Sequence, residues 1–288
     1  MTTYAVTGAT GGLGGAAVTA LIERGVDPTD VVAVVRDETK AATLTAAGVT
    51  VRTADYDDPS ALRAALPGVD RLLLVSGPEV GKRLPQHTNV IEAASAAGVS
   101  LIAYTSILRA DVSPLALATE HRATEKLLAD SGLGTVLLRN GWYSENYTQS
   151  LAPALATGVF AGSAGTGTVA PAARADYADA AAAALLSAPA GAVYELAGAE
   201  HLTYADIAAA FAAASGRPVT YQDLPEAEYA AVLTAAGVPA AFAAILADSD
   251  AGAAAGALDS ASTDLADLRG RPATPFAEVV AAALSTSD

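Results

Sequence analysis

The sequence predicts an α/β fold, a Rossmann-type doubly wound parallel sheet with a small α/β C-terminal substrate lobe. Three observations predict it. An apolar run at residues 4–7 enters a turn with glycine at positions 8, 11 and 14. Short apolar segments then alternate with helical patterns as far as residue 140, which is typical of parallel strands joined by right-handed crossovers. The segments at 31–35 and 72–75 are apolar without interruption, as strands buried on both faces are.

The elements follow in chain order from these patterns. Strands are predicted near residues 3–7, 31–36, 49–53, 70–76, 99–105 and 134–138, and helices near 12–24, 38–47, 59–66, 80–97 and 117–131. Beyond residue 140 we predict a short strand within 158–171, an alanine-rich helix over 178–190, a strand at 193–196, and helices near 203–215, 225–236, 239–247 and 275–285. The chain thus divides into an NAD(P)-binding Rossmann domain, 1–140, to which later segments return, and a mainly smaller C-terminal substrate-binding lobe, 141–288.

The glycine turn predicts a dinucleotide site. Gly8 makes the turn, Gly11 lets backbone N–H groups approach a pyrophosphate, and Gly14 lets the helix pack against the strand. An ordinary glycine-rich strand–helix turn is the alternative, since glycine triplets arise by chance in a chain with 25 glycines. The position of the turn, directly after the first strand, favours the dinucleotide.

Composition excludes several classes of function. The formal net charge of −15 argues against a nucleic-acid partner, whose phosphates require a basic surface. The sequence has no cysteine, which excludes disulfides, thiol catalysis and thiolate metal sites, and we predict no metal site. It shows no secretory signal and no uninterrupted apolar stretch of about 18 residues, so we expect a cytoplasmic protein without a membrane span.

Residues that follow the second and third strands indicate which dinucleotide binds. Arg36 ends the second strand, where an acid usually selects NAD and an arginine suits the 2′-phosphate of NADP. The neighbouring Asp37 leaves this open, and Arg36 as a plain solvated charge is the alternative; we expect NADP(H). Asp55 and Tyr56 follow the third strand and would border the adenine, although a plain loop fits the same spacing.

The fourth strand leads into residues that could contact the middle of the cofactor. Ser76 and Gly77 are small and would let a cofactor lie across the strand tip. Arg83 and His87 come next, on a predicted helix. They could face the cofactor diphosphate or the substrate, or they could lie on the helix surface.

The catalytic group of a short-chain dehydrogenase is incomplete in this chain. Those enzymes use a serine together with a tyrosine that stands four residues before a lysine. The lysine lowers the pKa of the tyrosine, which donates a proton to a carbonyl. Here the residue four before Lys126 is Arg122, and the remaining candidates are Tyr104, Ser106, His121 and Lys126. Lys126 could bind the nicotinamide ribose and stabilise a developing oxyanion, with a helix-surface lysine as the alternative.

An aromatic and amide cluster follows the sixth strand. It contains Asn140, Trp142, Tyr143 and Asn146, and Trp142 is the chain's single tryptophan. The cluster could line the nicotinamide and hold a flat substrate by stacking, or it could be a packed hinge between the two parts of the chain. Arg174, which opens a later helix, could complete the cofactor or substrate pocket.

Together these motifs resemble the NmrA-like branch of the atypical short-chain dehydrogenases and, within it, the bacterial type-2 NAD(P)H:quinone oxidoreductases. The resemblance covers nearly the whole chain, and the string Arg-Asn-Gly-Trp-Tyr-Ser-Glu-Asn-Tyr at 139–147 carries it most specifically. It implies an NADPH-binding Rossmann domain, a small C-terminal lobe and hydride transfer to quinones. The cofactor contacts that it implies are Gly8, Thr10, Gly11, Gly12, Leu13, Arg36, Ser76, Asn140, Trp142, Tyr143, Asn146 and Arg174.

Three functions are compatible with these residues. The first is an NADPH-dependent quinone reductase, because a quinone becomes aromatic on reduction and depends less on the positioned acid that is typically worth about 10²–10⁴-fold. The second is an alcohol dehydrogenase or ketone reductase with His121, Tyr104 or water as proton donor. The third is a non-catalytic regulator that binds NADP(H) and responds to redox state. The expected partner is a small quinone or carbonyl compound, and the expected assembly is a monomer or homodimer.

Overall fold

A seven-stranded parallel sheet forms the centre of the computed structural model, which describes residues 1–285. Its strands are β1 Tyr4–Thr7, β2 Val31–Val35, β3 Thr50–Thr53, β4 Arg71–Leu74, β5 Leu101–Ile107, β6 Gly134–Asn140 and β9 Val193–Leu196. Their order is β3-β2-β1-β4-β5-β6-β9, and the pairings are parallel. The order reverses between β1 and β4. Ligands of such sheets bind at this switch point, beyond the carboxyl ends of the strands.

Helices cover both faces of the sheet. One layer contains α1 (Gly12–Glu23), α8 (Arg174–Ser187) and α12 (Asp264–Arg269), and the other contains α3 (Pro59–Ala65), α4 (Arg83–Ala97) and α5 (Ala118–Asp130). The short α2 (Ala42–Ala46) lies between β2 and β3 in the chain. Alanines of α1 and α8 belong to one buried cluster, and such short side chains let helices approach closely.

The remaining elements form a second part of the molecule, with a hydrophobic cluster of its own. They are α6 Ser144–Thr148, α7 Leu151–Thr157, β7 Val159–Gly162, β8 Thr168–Val169, β10 Leu202–Thr203, α9 Tyr204–Ser215, β11 Thr220–Asp223, α10 Glu226–Ala235, α11 Ala240–Ala254 and α13 Phe276–Ser285. β7 pairs with β11 in parallel, and β8 pairs with β10 antiparallel. Phe160, Tyr204, Phe211 and Phe276 pack ring against ring inside this part.

The structure confirms the predicted fold class and changes several elements. The helix predicted at 38–47 shortens to Ala42–Ala46 because Asp37 caps a separate 3₁₀ turn at Glu38–Lys40. The helix predicted at 239–247 continues to Ala254. The sequence patterns missed α6, α7, α12, β10, β11 and one of the two strands within 158–171, and each of these elements is seven residues or shorter. Within residues 1–285, no helix combines the length and the apolarity needed to cross a bilayer.

Candidate active site

A cavity of about 960 Å³ lies where the carboxyl ends of the strands meet the second part of the molecule. Its walls come from the glycine turn before α1, from the residues that follow β2 to β6, and from α6, α10 and α11. Ligand pockets usually occupy roughly 300–1,000 Å³. This cavity is therefore large enough to hold one end of a dinucleotide cofactor together with a second molecule.

This cavity brings together all the predicted site residues except Tyr104, His87 and Lys126. Those on its walls are Gly8, Thr10, Gly11, Gly12, Leu13, Gly14, Arg36, Asp55, Tyr56, Ser76, Gly77, Arg83, Ser106, His121, Asn140, Trp142, Tyr143, Asn146 and Arg174. It also includes residues that the sequence patterns did not single out as site residues, among them Lys40, Tyr204, Tyr229 and Asp250.

The glycine turn is a cradle in which two positions require glycine. Gly8 has a φ of +60°, in the left-handed region. A Cβ on Gly14 would stand 2.4 Å from the carbonyl oxygen of Gly8, so α1 could not lie against the turn. At the start of α1 the N-cap residue is Gly11, and no described side chain caps the helix. The first N–H groups of α1 can therefore bind an anion such as a pyrophosphate.

The side chain of Arg174 lies against this cradle. A Cβ on Gly12 would stand 3.1 Å from the Arg174 Cδ. The guanidinium carbon lies 4.9 Å from the centre of the Tyr143 ring, a cation–π distance, and Nη2 lies 3.5 Å from Asn146 Oδ1. The backbone N–H of Arg174 donates to the Glu145 carboxylate at 2.9 Å. Arg174 thus places a fixed positive charge between the turn and the aromatic cluster, where it could pair with a phosphate.

Arg36 and Lys40 place two positive charges on the cavity wall beyond β2. The Arg36 side chain is 62% exposed and forms a long ion pair of 3.8 Å with Glu79. Asp37 does not line the cavity, and its carboxylate accepts hydrogen bonds from the hydroxyl and the N–H of Thr39 at 2.6 and 3.0 Å. These bonds, the hydroxyl first, lower the pKa of Asp37. Asp37, the acid that could have favoured NAD, instead caps the 3₁₀ turn at Glu38–Lys40. Two cations, Arg36 and Lys40, therefore line the wall where Rossmann folds bind the 2′-phosphate of NADP.

Tyr56 and Asp55 line the wall beside these cations. The Tyr56 hydroxyl donates to the Val75 carbonyl oxygen at 2.7 Å and contacts the Thr7 hydroxyl, so it connects the ends of β1 and β4. Burial raises the pKa of Tyr56, which keeps the ring neutral. A fixed neutral ring in this position could flank an adenine base.

Polar atoms without partners lie at the centre of the cavity wall. Ser76 Oγ and Asn140 Oδ1 are buried, and no described residue meets either atom in hydrogen-bonding geometry. At Gly77 a Cβ would stand 3.1 Å from the amide oxygen of Gln86, so the wall is tight there. Buried polar groups normally have partners. These atoms therefore fit the ribose hydroxyls and the carboxamide of a nicotinamide nucleotide.

Half-buried Arg83 and buried His121 and Tyr104 form a chain whose proton positions follow from its geometry. Arg83 Nη1 lies 3.4 Å from His121 Nε2, and His121 Nδ1 lies 2.8 Å from the Tyr104 hydroxyl. Because a guanidinium only donates, Nε2 accepts and Nδ1 carries the proton that is donated to Tyr104. Burial, and then the charge of Arg83, lower the pKa of His121 well below its usual value. His121 is thus a neutral ring with both nitrogens occupied.

Tyr104 and His87 lie behind the cavity wall, which contradicts their predicted positions in the site. Tyr104 has no exposed surface, so its hydroxyl does not reach a hydride acceptor bound in the cavity. Burial also raises the pKa of Tyr104. His87 accepts a hydrogen bond from the N–H of Gly77 at 3.1 Å, and its Nδ1 lies 2.9 Å from the Thr124 hydroxyl. Burial lowers the pKa of His87 to about 4. This neutral histidine holds the Gly77 backbone in place.

Ser106 lines the cavity, but its hydroxyl proton is already used. The hydroxyl donates to Glu125 Oε1 at 2.5 Å. Glu125 pairs with Arg139 at 2.8 Å, and each of these two side chains is 10% exposed. Arg139 also pairs with Glu195 on β9 at 2.9 Å. The network joins the ends of β5, β6 and β9, and in this arrangement Ser106 is part of the wall rather than a donor to a carbonyl.

The prediction that Lys126 reaches the nicotinamide ribose is wrong. Its side chain is 76% exposed, pairs with Asp130 at 2.8 Å and does not line the cavity. The buried face of α5 includes His121 and Leu128. Lys126 is five residues after His121, which is about 140° of rotation around a helix, so its side chain leaves the opposite side of α5.

The walls contributed by the second part of the molecule are aromatic. Trp142, Tyr147, Phe160, Tyr204, Tyr229 and Phe242 line the cavity there, together with Leu233, Val238, Ile245 and Leu246. The ring of Tyr204 meets Tyr147 edge to face at 5.5 Å and stacks on Phe160 at 5.7 Å. A wall of this kind binds flat aromatic molecules by stacking and by apolar burial.

One carboxyl group lies within this aromatic wall. Asp250 of α11 is 7% exposed. It accepts hydrogen bonds from the Tyr204 hydroxyl at 2.7 Å and from the Ser163 N–H at 3.2 Å. Burial outweighs these two bonds and raises the pKa of Asp250 to about 6. Asp250 can therefore exchange a proton near neutral pH.

Comparison with known proteins shows similarity along nearly the whole chain. A profile of the NmrA-like family matches residues 2–251. Quinone oxidoreductase 2 of Escherichia coli (strain K12) is 54% identical over 277 residues, which are 96% of each chain. The crystal structure of an E. coli NADPH-dependent quinone oxidoreductase with NADPH matches with a TM-score of 0.94, 53% identity, and coverage of 98% of this chain and 99% of that one. Citrobacter sp. triphenylmethane reductase with NADP(H) matches with a TM-score of 0.92, 35% identity, and coverage of 98% and 100%.

Proposed function

The chain belongs to the NmrA-like family, and from this premise we propose that it is an NADPH-dependent oxidoreductase that transfers hydride to quinones. The observation that carries the proposal is one cavity in which a glycine cradle adjoins an aromatic wall. The cradle fits a dinucleotide and the wall fits a flat acceptor, so the cavity can hold the two reactants together. The 54% identical quinone oxidoreductase of E. coli supports this choice of acceptor.

We assign the cofactor contacts to the cradle and the strand ends. The turn at residues 8–14 and Arg174 would hold the pyrophosphate, Arg36 and Lys40 the 2′-phosphate, and Asn140 the nicotinamide half. NADPH, when bound, supplies a hydride from its nicotinamide ring. The E. coli relative solved with NADPH supports the choice of nucleotide.

The residues of the wall favour a quinone over an unactivated ketone. Reduction of a ketone relies on a positioned acid, worth about 10²–10⁴-fold. The acids expected for it were Tyr104, which is buried behind the wall, and His121, whose Nε2 accepts from Arg83. A quinone gains aromaticity when it accepts a hydride, so its reduction depends less on a donor at that moment. The aromatic wall would hold the planar quinone by stacking.

Oxidation of NADPH with menadione and with 1,4-benzoquinone tests the proposal. We expect saturable turnover with NADPH, slower turnover with NADH, and slower turnover of aryl ketones such as acetophenone. Gly14→Ala, whose Cβ would push α1 away from the glycine turn, should abolish NADPH binding. Quinone reduction at the rate of the enzyme-free background would overturn the proposal. Faster turnover of ketones would favour an alcohol dehydrogenase, and tight NADPH binding without oxidation would favour a redox-sensing regulator.

We also propose the division of the chain into a Rossmann domain, 1–140, and a mainly C-terminal lobe, 141–288. The separate hydrophobic cluster of the second part supports it, and α8 and β9 return to the layers of the sheet. A cytoplasmic location is proposed because the cytoplasm supplies NADPH, and a monomer or homodimer is the proposed assembly. Cell fractionation and light scattering would test these two points.

A further inference from the structure

We propose that Asp250 and Tyr204 deliver the proton that a quinone takes up after it has accepted a hydride. Tyr204 would donate to the product oxygen, and Asp250 would replace the proton of Tyr204. The inference rests on the proposed function and names its proton source, which the residues around Lys126 and Tyr104 do not supply.

The two residues form a buried pair on the cavity wall. The Tyr204 hydroxyl lies 2.7 Å from Asp250 Oδ1, and both residues line the cavity. The titratable groups that act on Asp250 are Tyr147, Tyr204, Tyr221, Asp223 and Tyr229. None of these described residues is a cation. A buried carboxyl group without a cation holds its proton more tightly than an exposed one.

Tyr147 adds a second hydroxyl to the same wall. This hydroxyl is buried, and no described residue meets it in hydrogen-bonding geometry. Its ring lies edge to face with the ring of Tyr204, 5.5 Å away. The Tyr147 hydroxyl interacts with that of Tyr204, and an oxygen of a bound acceptor would give it a partner of good geometry. Two hydroxyls and one acid therefore lie together where an acceptor oxygen can be held.

The proton transfer balances without a further reactant. A quinone that has accepted a hydride is a hydroquinone monoanion. When Asp250 is protonated, its O–H group donates to the Tyr204 oxygen, so the Tyr204 hydroxyl is free to donate to the product oxygen. The O–H bond of Tyr204 then breaks as its proton passes to the product oxygen, and a new O–H bond forms there. Tyr204 then takes the proton of Asp250 through their hydrogen bond. Asp250 is left as a carboxylate and regains a proton from solvent after the product leaves, and no atom changes its oxidation state in this step.

The pH dependence of kcat with NADPH and menadione tests the proposal. An acid with a pKa of about 6 is about one-tenth protonated at pH 7, so we expect the wild-type kcat to fall about tenfold for each pH unit above 7. Asp250→Asn should lose this decline and turn over about 10²-fold more slowly at pH 6. Tyr204→Phe keeps the ring packing, removes the hydroxyl, and should have the same effect.

Asp248→Asn is the matched control. Asp248 is on the same helix but outside the cavity, where it accepts a hydrogen bond from the N–H of Ala116 at 2.9 Å, and its variant should keep the wild-type profile. The binding of menadione is measured separately, by the quenching of Trp142 fluorescence. Trp142 is the single tryptophan and lines the cavity. The Kd of menadione should stay within about threefold in all three variants.

The unfolding temperature gives a readout that does not depend on activity. The pKa of Asp250 is raised from 3.8 to about 6 in the folded protein, so the native state binds this proton more tightly than the unfolded chain does. Stability is therefore lost as the pH rises from about 4 to about 6. Asparagine carries no charge, so the Tm of Asp250→Asn minus that of the wild type should rise by about 5 °C between pH 4 and pH 7.

The outcomes separate this inference from the proposed function. A wild type that does not reduce menadione would overturn the proposed function. A wild type that reduces menadione, with a pH profile that Asp250→Asn and Tyr204→Phe leave unchanged, would overturn the proton pair alone. If Asp250→Asn does not fold, the profile of Tyr204→Phe decides. A Tm difference that stays constant across the pH range would contradict a protonated Asp250.

Discussion

Arg36 is the residue on which the choice between NADPH and NADH rests, and Arg36→Ala tests that assignment. Its guanidinium is 62% exposed and would lose a 3.8 Å pair with Glu79, a surface contact that contributes little to folding. In the complex the variant would lose a charge-assisted hydrogen bond to the 2′-phosphate, worth about 1.5–3 kcal/mol. That energy corresponds to about 10- to 150-fold in affinity. Because Lys40 keeps one positive charge at this wall, we expect a loss of about tenfold.

The assay is the KM and Kd of each nucleotide, with menadione as acceptor for KM. NADH lacks the 2′-phosphate, so its KM should change by less than about twofold. Arg36→Ala combined with Lys40→Ala should weaken NADPH by about a hundredfold. Arg63→Ala removes an exposed arginine of α3 outside the cavity and is the matched control. Equal losses with NADPH and NADH, or no loss with NADPH, would refute the assignment of the 2′-phosphate site.

Three further variants test the glycine cradle, the position of Lys126 outside the cavity, and the buried ion pair of Arg269 with Asp176. Gly14→Ala places a Cβ 2.4 Å from a backbone oxygen and should lower the free energy of unfolding by about 1–3 kcal/mol. In Gly15→Ala the nearest oxygen is 3.2 Å away, so this control should stay within about 1 kcal/mol of the wild type in urea denaturation. Lys126→Ala should keep kcat/KM within about twofold, and a tenfold loss would return Lys126 to the mechanism. Arg269→Leu leaves the Asp176 carboxylate, 3% exposed and paired with Arg269, without its cation and should cost about 3–5 kcal/mol; an unchanged Tm would contradict this.

The sheet and the cofactor side of the cavity could be predicted because their signals are local. A strand buried on both faces needs an uninterrupted apolar run, and all five residues of β2 are buried. The glycine at position 14 is required by a contact with Gly8, six residues earlier. Arg36 directly follows the strand that positions it. Each of these features needs only a short stretch of chain, so the sequence contains its whole explanation.

Part of the acceptor side, the Trp142 segment, was predicted, but the part that contains Tyr204 and Asp250 could not be, because distant segments build it. Tyr204 and Asp250 are 46 residues apart in the chain, and they meet only when it folds. Neither stands in a motif. Asp250 lies in an alanine-rich helix two residues after Asp248, and the sequence alone does not show which of the two carboxyl groups is buried in a cavity.

The Lys126 prediction failed for a different reason. The sequence did contain the helical spacing that shows which face of α5 is buried. His121 and Leu128 are seven residues apart and share the buried face of α5, which is the spacing of an amphipathic stripe. Lys126 lies off that stripe. The prediction followed the Tyr–Lys spacing of short-chain dehydrogenases, although the tyrosine of that pair is absent and the lysine had lost its reason to face the cofactor.

The residue at position 122 indicates why this fold suits a hydride acceptor, such as a quinone, that needs no proton donor at the moment of hydride transfer. Where short-chain dehydrogenases place the proton-donating tyrosine, Arg122 donates to the carbonyl oxygens of Ala110 and Ser113 at 2.9 and 3.0 Å and fixes the loop between β5 and α5. This position therefore supplies no proton donor to an acceptor. A quinone can take the hydride first, because aromaticity stabilises the anion that forms, and can receive its proton afterwards from another wall. Separating the two transfers is what a chain without the tyrosine requires, and Asp250 with Tyr204 would meet that requirement.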